Sequence, residues 1–148
     1  GALGARFRDG ALCVRNGRRF DIVSTGAGLP SMAVMTMLDD RDGNLWLGTA
    51  GGGIVRVRDG RLESSLLTDT TSDDMVYALA EDSDGNLWSS AADGVHCIAP
   101  DGHLMGKILV PETVSNLCFG GRAKHQLYIT ATTSLYAITL NRIGVQRP

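Results

Sequence analysis

The chain has 148 residues, 43% of them hydrophobic and 20% charged, enough apolar material for one modest core and too much for a disordered segment. Fourteen basic residues against sixteen acidic ones leave a net charge of −2, which gives no electrostatic reason to expect a nucleic-acid or membrane partner. No apolar run reaches the roughly 18 residues of a membrane span and no secretory signal is visible, so a soluble protein is expected and its compartment is left unassigned.

In chain order, the first segment, about 2–25, alternates apolar runs with the turns "RDG" and "RNG" and reads as a partial β unit without an inner strand. A full unit follows over 32–67, with strands "AVMTML", "NLWLGT", "GIVRVR" and "RLESSLL", the last two joined through Asp59-Gly60. Period-two alternation turns Val55 and Val57 inward and Arg56 and Arg58 outward. A second full unit spans 75–110, with "VYALA", "NLWSSA", "GVHCIA" and "HLMGKILV" and the turn Asp101-Gly102. A last partial unit, 113–141, has "VSNLCF", "QLYIT" and "SLYAITL" but no outer strand. The first strands of these units are almost uniformly apolar, which predicts burial on both faces. No segment combines a 3.6-residue period with caps, so no helix is expected. Glycine, 19 residues spread along the chain, is at about twice its usual share and fits many tight turns.

The units repeat. Trp46 and Trp88 are 42 residues apart, and Tyr128 follows 40 residues after Trp88. Such a period suits the four-stranded blade of a β-propeller. The expected fold is all-β, a propeller fragment of about 3.5 blades. Because propellers need roughly four to eight blades, ring completion by oligomerisation is expected, a homodimer being favoured, with about six to eight blades in the closed ring.

"DDRDGNLWLG" and "EDSDGNLWSS" carry the repeat's most pointed motif. Asp-x-Asp-Gly-Asn resembles the start of an EF-hand loop, but position 12 is Gly51 in one copy and Asp93 in the other, and strands flank both. The favoured reading is a turn: Asp accepts local backbone N–H bonds, Gly takes positive φ, and Trp packs between blades. A calcium ion is the alternative, so no cofactor is assigned. Cys13, Cys97 and Cys118 form no CxxC pair and read as small buried thiols. His96, His103 and His125 lack metal-ligand spacing and read as surface residues. Arg15, Arg18, Arg19, Arg56, Arg58 and Arg61 recur at matching positions, either as a polyanion-binding rim or, preferred, as solvated outer strands. "TAGGG" lacks the Lys and helix of a phosphate loop.

"GAGLPSMAV" followed by "AVMTMLDDRDGNLWLGTAGGGIVRVRDGRLE" resembles the two-component-regulator propeller repeat, over about residues 10–88. "GVHCIAPDG", "GKILVPE", "SNLCFGG" and "LYITATTSLYAI" resemble the C-terminal part of the gluconolactonase/senescence-marker (lactonohydrolase) family, over residues 84–148. The two resemblances meet in "EDSDGNLW", so the chain reads as a chimera of two propellers, natural or engineered. The second resemblance implies a calcium- or zinc-dependent opening of sugar lactones. It places one metal-ligand Asp at Tyr77, with Asp73 and Asp74 just upstream. Tyr does not replace a carboxylate on a hard cation at neutral pH. No catalytic, cofactor-binding or metal-binding residue is therefore assigned. The primary expectation is a non-enzymatic self-assembling module; the alternatives are a lactone hydrolase with a site completed across chains, and a carbohydrate-sensing fragment.

Overall fold

The computed structural model describes residues 6–8, 11–16, 19–23, 33–59, 61–63 and 75–145, with side chains from residue 33 onward except at Arg61. The lead-in "GAGLPSM", the side chains of Cys13, Arg15, Arg18 and Arg19, and Asp73 and Asp74 lie outside the described residues. All the regular structure described is β, in four antiparallel sheets.

The first sheet holds β1 (Arg6–Arg8), β2 (Ala11–Asn16) and β3 (Arg19–Val23). The second holds β4 (Val34–Asp39), β5 (Leu45–Thr49), β6 (Ile54–Arg58) and β7 (Arg61–Glu63) in sequential order. The third is built from β8 (Leu79–Asp82), β9 (Leu87–Ala91), β10 (Gly94–Ile98) and β11 (Leu104–Leu109). The fourth has β12 (Val114–Gly120), β13 (Gln126–Ala131) and β14 (Leu135–Thr139). A short β15 (Gly144–Val145) returns to the third sheet and lies along β8. The runs that form these strands are rich in Val, Ile, Leu and aromatic residues bounded by Asp-Gly or Gly turns, which is why each meander closes locally.

The core sits between sheets. Trp46, Ile54 and Val76 pack with Leu87 and Ile98 where the second sheet meets the third. Trp88 and Val95 pack with Leu117, Phe119, Leu127 and Ile129 where the third meets the fourth. The Trp88 and Phe119 rings meet edge to face, centroids 5.8 Å apart. Leu45, Leu47, Val55 and Val57 form a third cluster on the opposite face of the second sheet. Val55 and Val57 are inward as the alternation predicts, and Arg58 is exposed. Arg56 is only half-outward: its guanidinium lies 5.3 Å from the Trp46 ring centre and its Nε donates to Glu63 Oε2 at 2.6 Å.

Two expectations about the first strands need correction. Their apolar composition predicts burial on both faces, yet Met35 and Met37 are 43% and 40% exposed, and Ser115, Asn116 and Cys118 are exposed on β12. On β12, Asn116 and Cys118 alternate with Leu117 and Phe119, which pack on the third sheet, so they lie on a face with no described sheet against it. The strand expected at "VYALA" also starts late. Met75 bridges Ala50 and the Val76 N–H donates to the Thr49 carbonyl, so this stretch is held by the second sheet. The Tyr77 and Ala78 N–H groups then donate to Ser90 Oγ, a side chain standing in for the ladder before β8 begins.

After β14 the chain turns inward. Leu140 N–H donates to the His125 carbonyl, Ser83 N–H to that of Ile143, and Gly144 N–H to that of Lys124. Gly144 is required by space: a Cβ there would stand 1.9 Å from the Phe119 Cβ.

Candidate functional site

The two Asp-Gly-Asn turns stand at one rim, between first and second strands of their sheets. In the first, Asp40 Oδ1 accepts from the N–H groups of Asp42 (3.0 Å) and Asn44 (2.8 Å), and Oδ2 from Asn44 Nδ2 (2.7 Å) and Trp46 Nε1 (2.8 Å). In the second, Asp82 Oδ1 accepts from Asp84 N–H, Asn86 N–H and, more distantly, Asn86 Nδ2 (3.0, 2.9 and 3.1 Å); Oδ2 accepts from Asn86 Nδ2 and Trp88 Nε1, both at 2.9 Å. Gly43 and Gly85 take φ of 81° and 84°, the left-handed region that only Gly enters cheaply. Each carboxylate oxygen has its lone pairs filled by local donors, so these groups shape the turn and orient the indole. Burial pushes the Asp40 carboxyl up, and the donors from Asn44, Trp46 and the backbone outweigh it, leaving the group below its ordinary value.

The turns are tied from sheet to sheet. Glu81, buried at the end of β8, accepts from Arg41 N–H and Arg41 Nε, each at 3.3 Å, while Arg41 NH2 donates to the Asp82 carbonyl at 3.1 Å. At the corresponding turn of the third sheet the Ser83 N–H has the Ile143 carbonyl instead, at 2.6 Å. The reason is visible in the register. Glu81 pairs with Leu87, and the matching position on the fourth sheet, opposite Leu127, is Phe119, whose side chain carries no carboxylate. β15 supplies the missing oxygen. Arg142 reinforces it by an ion pair to Asp84.

His103 is exposed, as expected, and its Nδ1 lies 2.6 Å from Asp101. His96 is not a surface residue: it is 2% exposed, with Nε2 at 2.6 Å from Asp93 Oδ1. It stands opposite Ser89 on the face turned toward the second sheet, and Asp93, in the β9–β10 turn, satisfies its ring. Asp93 Oδ2 also accepts from Lys107 Nζ at 2.9 Å. His125 is half-buried, and its Nδ1 donates to the Arg142 carbonyl at 3.1 Å. The thiols divide as well. Cys97 is half-buried, its pKa pushed up to about 11 by burial and by the nearby Asp82 charge. Cys118 is exposed, contrary to expectation, because it lies on the face of β12 turned away from the third sheet.

Sequence reasoning missed Glu112. Its oxygens accept from Ser134 Oγ (2.6 Å), Tyr136 OH (2.8 Å), Thr133 N–H (2.7 Å) and Thr133 Oγ1 (2.9 Å). Donation from the Ser134 hydroxyl first, then the Thr133 N–H and the Tyr136 hydroxyl, lowers its pKa to about 2. No motif marks it, since acceptor and donors are 21 to 24 residues apart. Tyr77, where the lactonase resemblance places an Asp ligand, is half-buried and donates its hydroxyl to Met75 Sδ at 3.1 Å. Among the described residues no three His, Cys, Asp or Glu side chains come together as a metal site.

The fourth sheet shows what the other two leave hidden. Trp46 packs on the third sheet and Trp88 on the fourth. Tyr128, their counterpart in the repeat, stands between Cys118 and Ala137 in register, on the face opposite Leu127 and Ile129. Cys118 and Ala137 are exposed and Tyr128 is partly so, with no sheet among the described residues against them.

Comparison with known proteins now decides the architecture. Residues 63–133 match the SMP-30/Gluconolactonase/LRE-like region, and residues 28–51 match the two component regulator propeller. A structure assigned to the gluconolactonases superimposes with a TM-score of 0.71 and 27% identity over 97% of this chain and 50% of that one. The fold is a β-propeller. A gluconolactonase from Xanthomonas campestris gives 0.64 and 25% identity, over 88% of this chain and 44% of that one. The extracellular domain of a hybrid two component system from B. thetaiotaomicron gives 0.65 and 15% identity, over 85% and 18%. No curated protein matches. The chain spans half or less of the length of these structures. The lactonase-like match begins at Glu63, upstream of the residue 84 expected from the resemblance, and runs through "EDSDGNLW" to residue 133.

Proposed function

We propose that this chain is a self-assembling β-propeller module, without catalytic chemistry of its own, whose ring is completed by a second copy. The observation that carries this reading is the Tyr128 face. In the second and third blades the equivalent face, marked by Trp46 and Trp88, is buried by the next blade. On the fourth blade the same face, with Cys118, Tyr128, Ala137 and Leu135, meets solvent. A face built to receive a blade is best covered by one, and two copies together have about the length of the gluconolactonase-like propeller matched at 50% coverage. Light scattering across a concentration series tests it. Two copies per particle are expected at the dilute end of the series; a 15.7 kDa species at every concentration would end the proposal.

A second reading has a specific observation in its favour, the match of residues 63–133 and the 27% and 25% identities to gluconolactonase structures. On that reading the chain is a metal-dependent lactone hydrolase with a site completed across copies. Tyr77 at the ligand position weighs against it. Calcium and zinc titrations, read by lactone hydrolysis and melting temperature, separate the two: a metal-dependent rise in both would favour the enzyme.

A further inference from the structure

In the second and third blades the third strand has a fourth beside it, β7 on β6 and β11 on β10. The fourth blade ends at β14, and among the described residues no strand lies on its outer edge. The chain that follows goes inward to β8 instead. The outward-facing backbone groups can be identified. Leu140 N–H donates to His125, and Ala131 N–H donates to the Ser134 carbonyl, so even-numbered residues bond toward β13. In an antiparallel ladder alternate residues bond to opposite sides, which leaves the N–H and C=O groups of Leu135, Ala137 and Thr139 pointing outward.

From this edge we infer a second contact between copies: β14 pairs with β14 of another copy, antiparallel about a two-fold axis at Ala137. The row is self-complementary. Leu135 then stands opposite the other copy's Thr139, and Ala137 opposite its own mate, where a small side chain suits the axis. Each of these pairs exchanges two backbone bonds. On the other face Tyr136 meets Ile138 of the second copy, and Ile138 meets Tyr136, an aromatic–β-branched pairing that stabilises sheets. "LYAIT" carries no charge, proline or bulge, the devices that keep exposed edges apart. Leu135 and Ile138 are 68% and 37% exposed on it. The inference rests on the assembly reading in one respect: a two-copy ring has two such edges, so rings join in rows and mass climbs with concentration.

Thr139→Pro tests it. The Thr139 N–H points outward, so proline there removes no bond within the blade and blocks the edge. Ile138→Lys is the second variant: its side chain lies on the face away from the ring contact and puts a charge against Tyr136 of the second copy. Circular dichroism and melting temperature verify that each variant folds. By light scattering, wild type should grow beyond two copies as concentration rises, and both variants should lose that growth and stay at two. Equal growth in wild type and in a folded variant overturns the inference. A wild type that stops at two copies, with both variants also at two, overturns it and leaves the ring intact. Variants that fall to one copy uphold strand pairing and remove the ring; a wild type of one copy throughout removes both.

Discussion

Asp82 is buried with both oxygens filled by turn amides, the Asn86 side chain and the Trp88 indole. Asp82→Ala leaves those donors without an acceptor inside the protein, so a loss of about 3 kcal/mol is expected in urea unfolding, with Trp88 fluorescence shifted toward that of exposed indole. Glu112 acts oppositely, at the surface. Its folded pKa of about 2 lies below its ordinary 4.5, so its contribution is complete above about 4.5 and is lost as pH falls toward 2. Asp40 and Asp93, both held below their ordinary value, add to the same acid limb. Melting temperature should be level above about pH 5 and fall below it, and Glu112→Gln should flatten part of that fall. The Asp-turn geometry was legible in the residues because its partners are two to six positions apart. His96, Cys118 and Glu112 were not, because their surroundings are set by which face of a blade is covered and by residues far along the chain.

Strands were legible wherever alternation and an Asp-Gly turn coincided, as at β6 and at β10–β11. Apolar composition overstated burial for β4 and β12, since it cannot distinguish a strand covered on two sides from one waiting for a neighbour. β15 was not foreseen: two residues have no period, and their place follows from a side-chain acceptor that Phe119 does not provide. Gly144→Val should therefore detach this strand, because even a Cβ collides with Phe119. Hydrogen exchange at the Ser83 amide should speed up, while amides of β5 and β6 keep their protection. Unchanged exchange at Ser83 would show that the strand contributes nothing to the rim.

For the molecule as a whole, the forty-odd-residue period was enough to predict a propeller, and blade-to-blade packing through Trp46 and Trp88 follows from it. The ring's closure leaves a chemical trace. In a Cys13→Ser background, Cys118 should react with a thiol reagent in dilute solution and become protected once copies associate, while Cys97, its pKa near 11, stays slow throughout. Cys118 reacting equally fast at all concentrations would mean that its face stays open. The tie from Glu81 back to Arg41 gives the chain a frame that differs from its sheets. Donor and acceptor belong to successive blades, yet both fall between Asp40 and Asp82. A cut in the stretch joining the two blades separates them, whereas one made at corresponding Asp turns keeps them together. Exchange of material among proteins of this kind is least damaging when the crossover falls inside a turn, and a natural or designed hybrid joined there would inherit its fasteners whole.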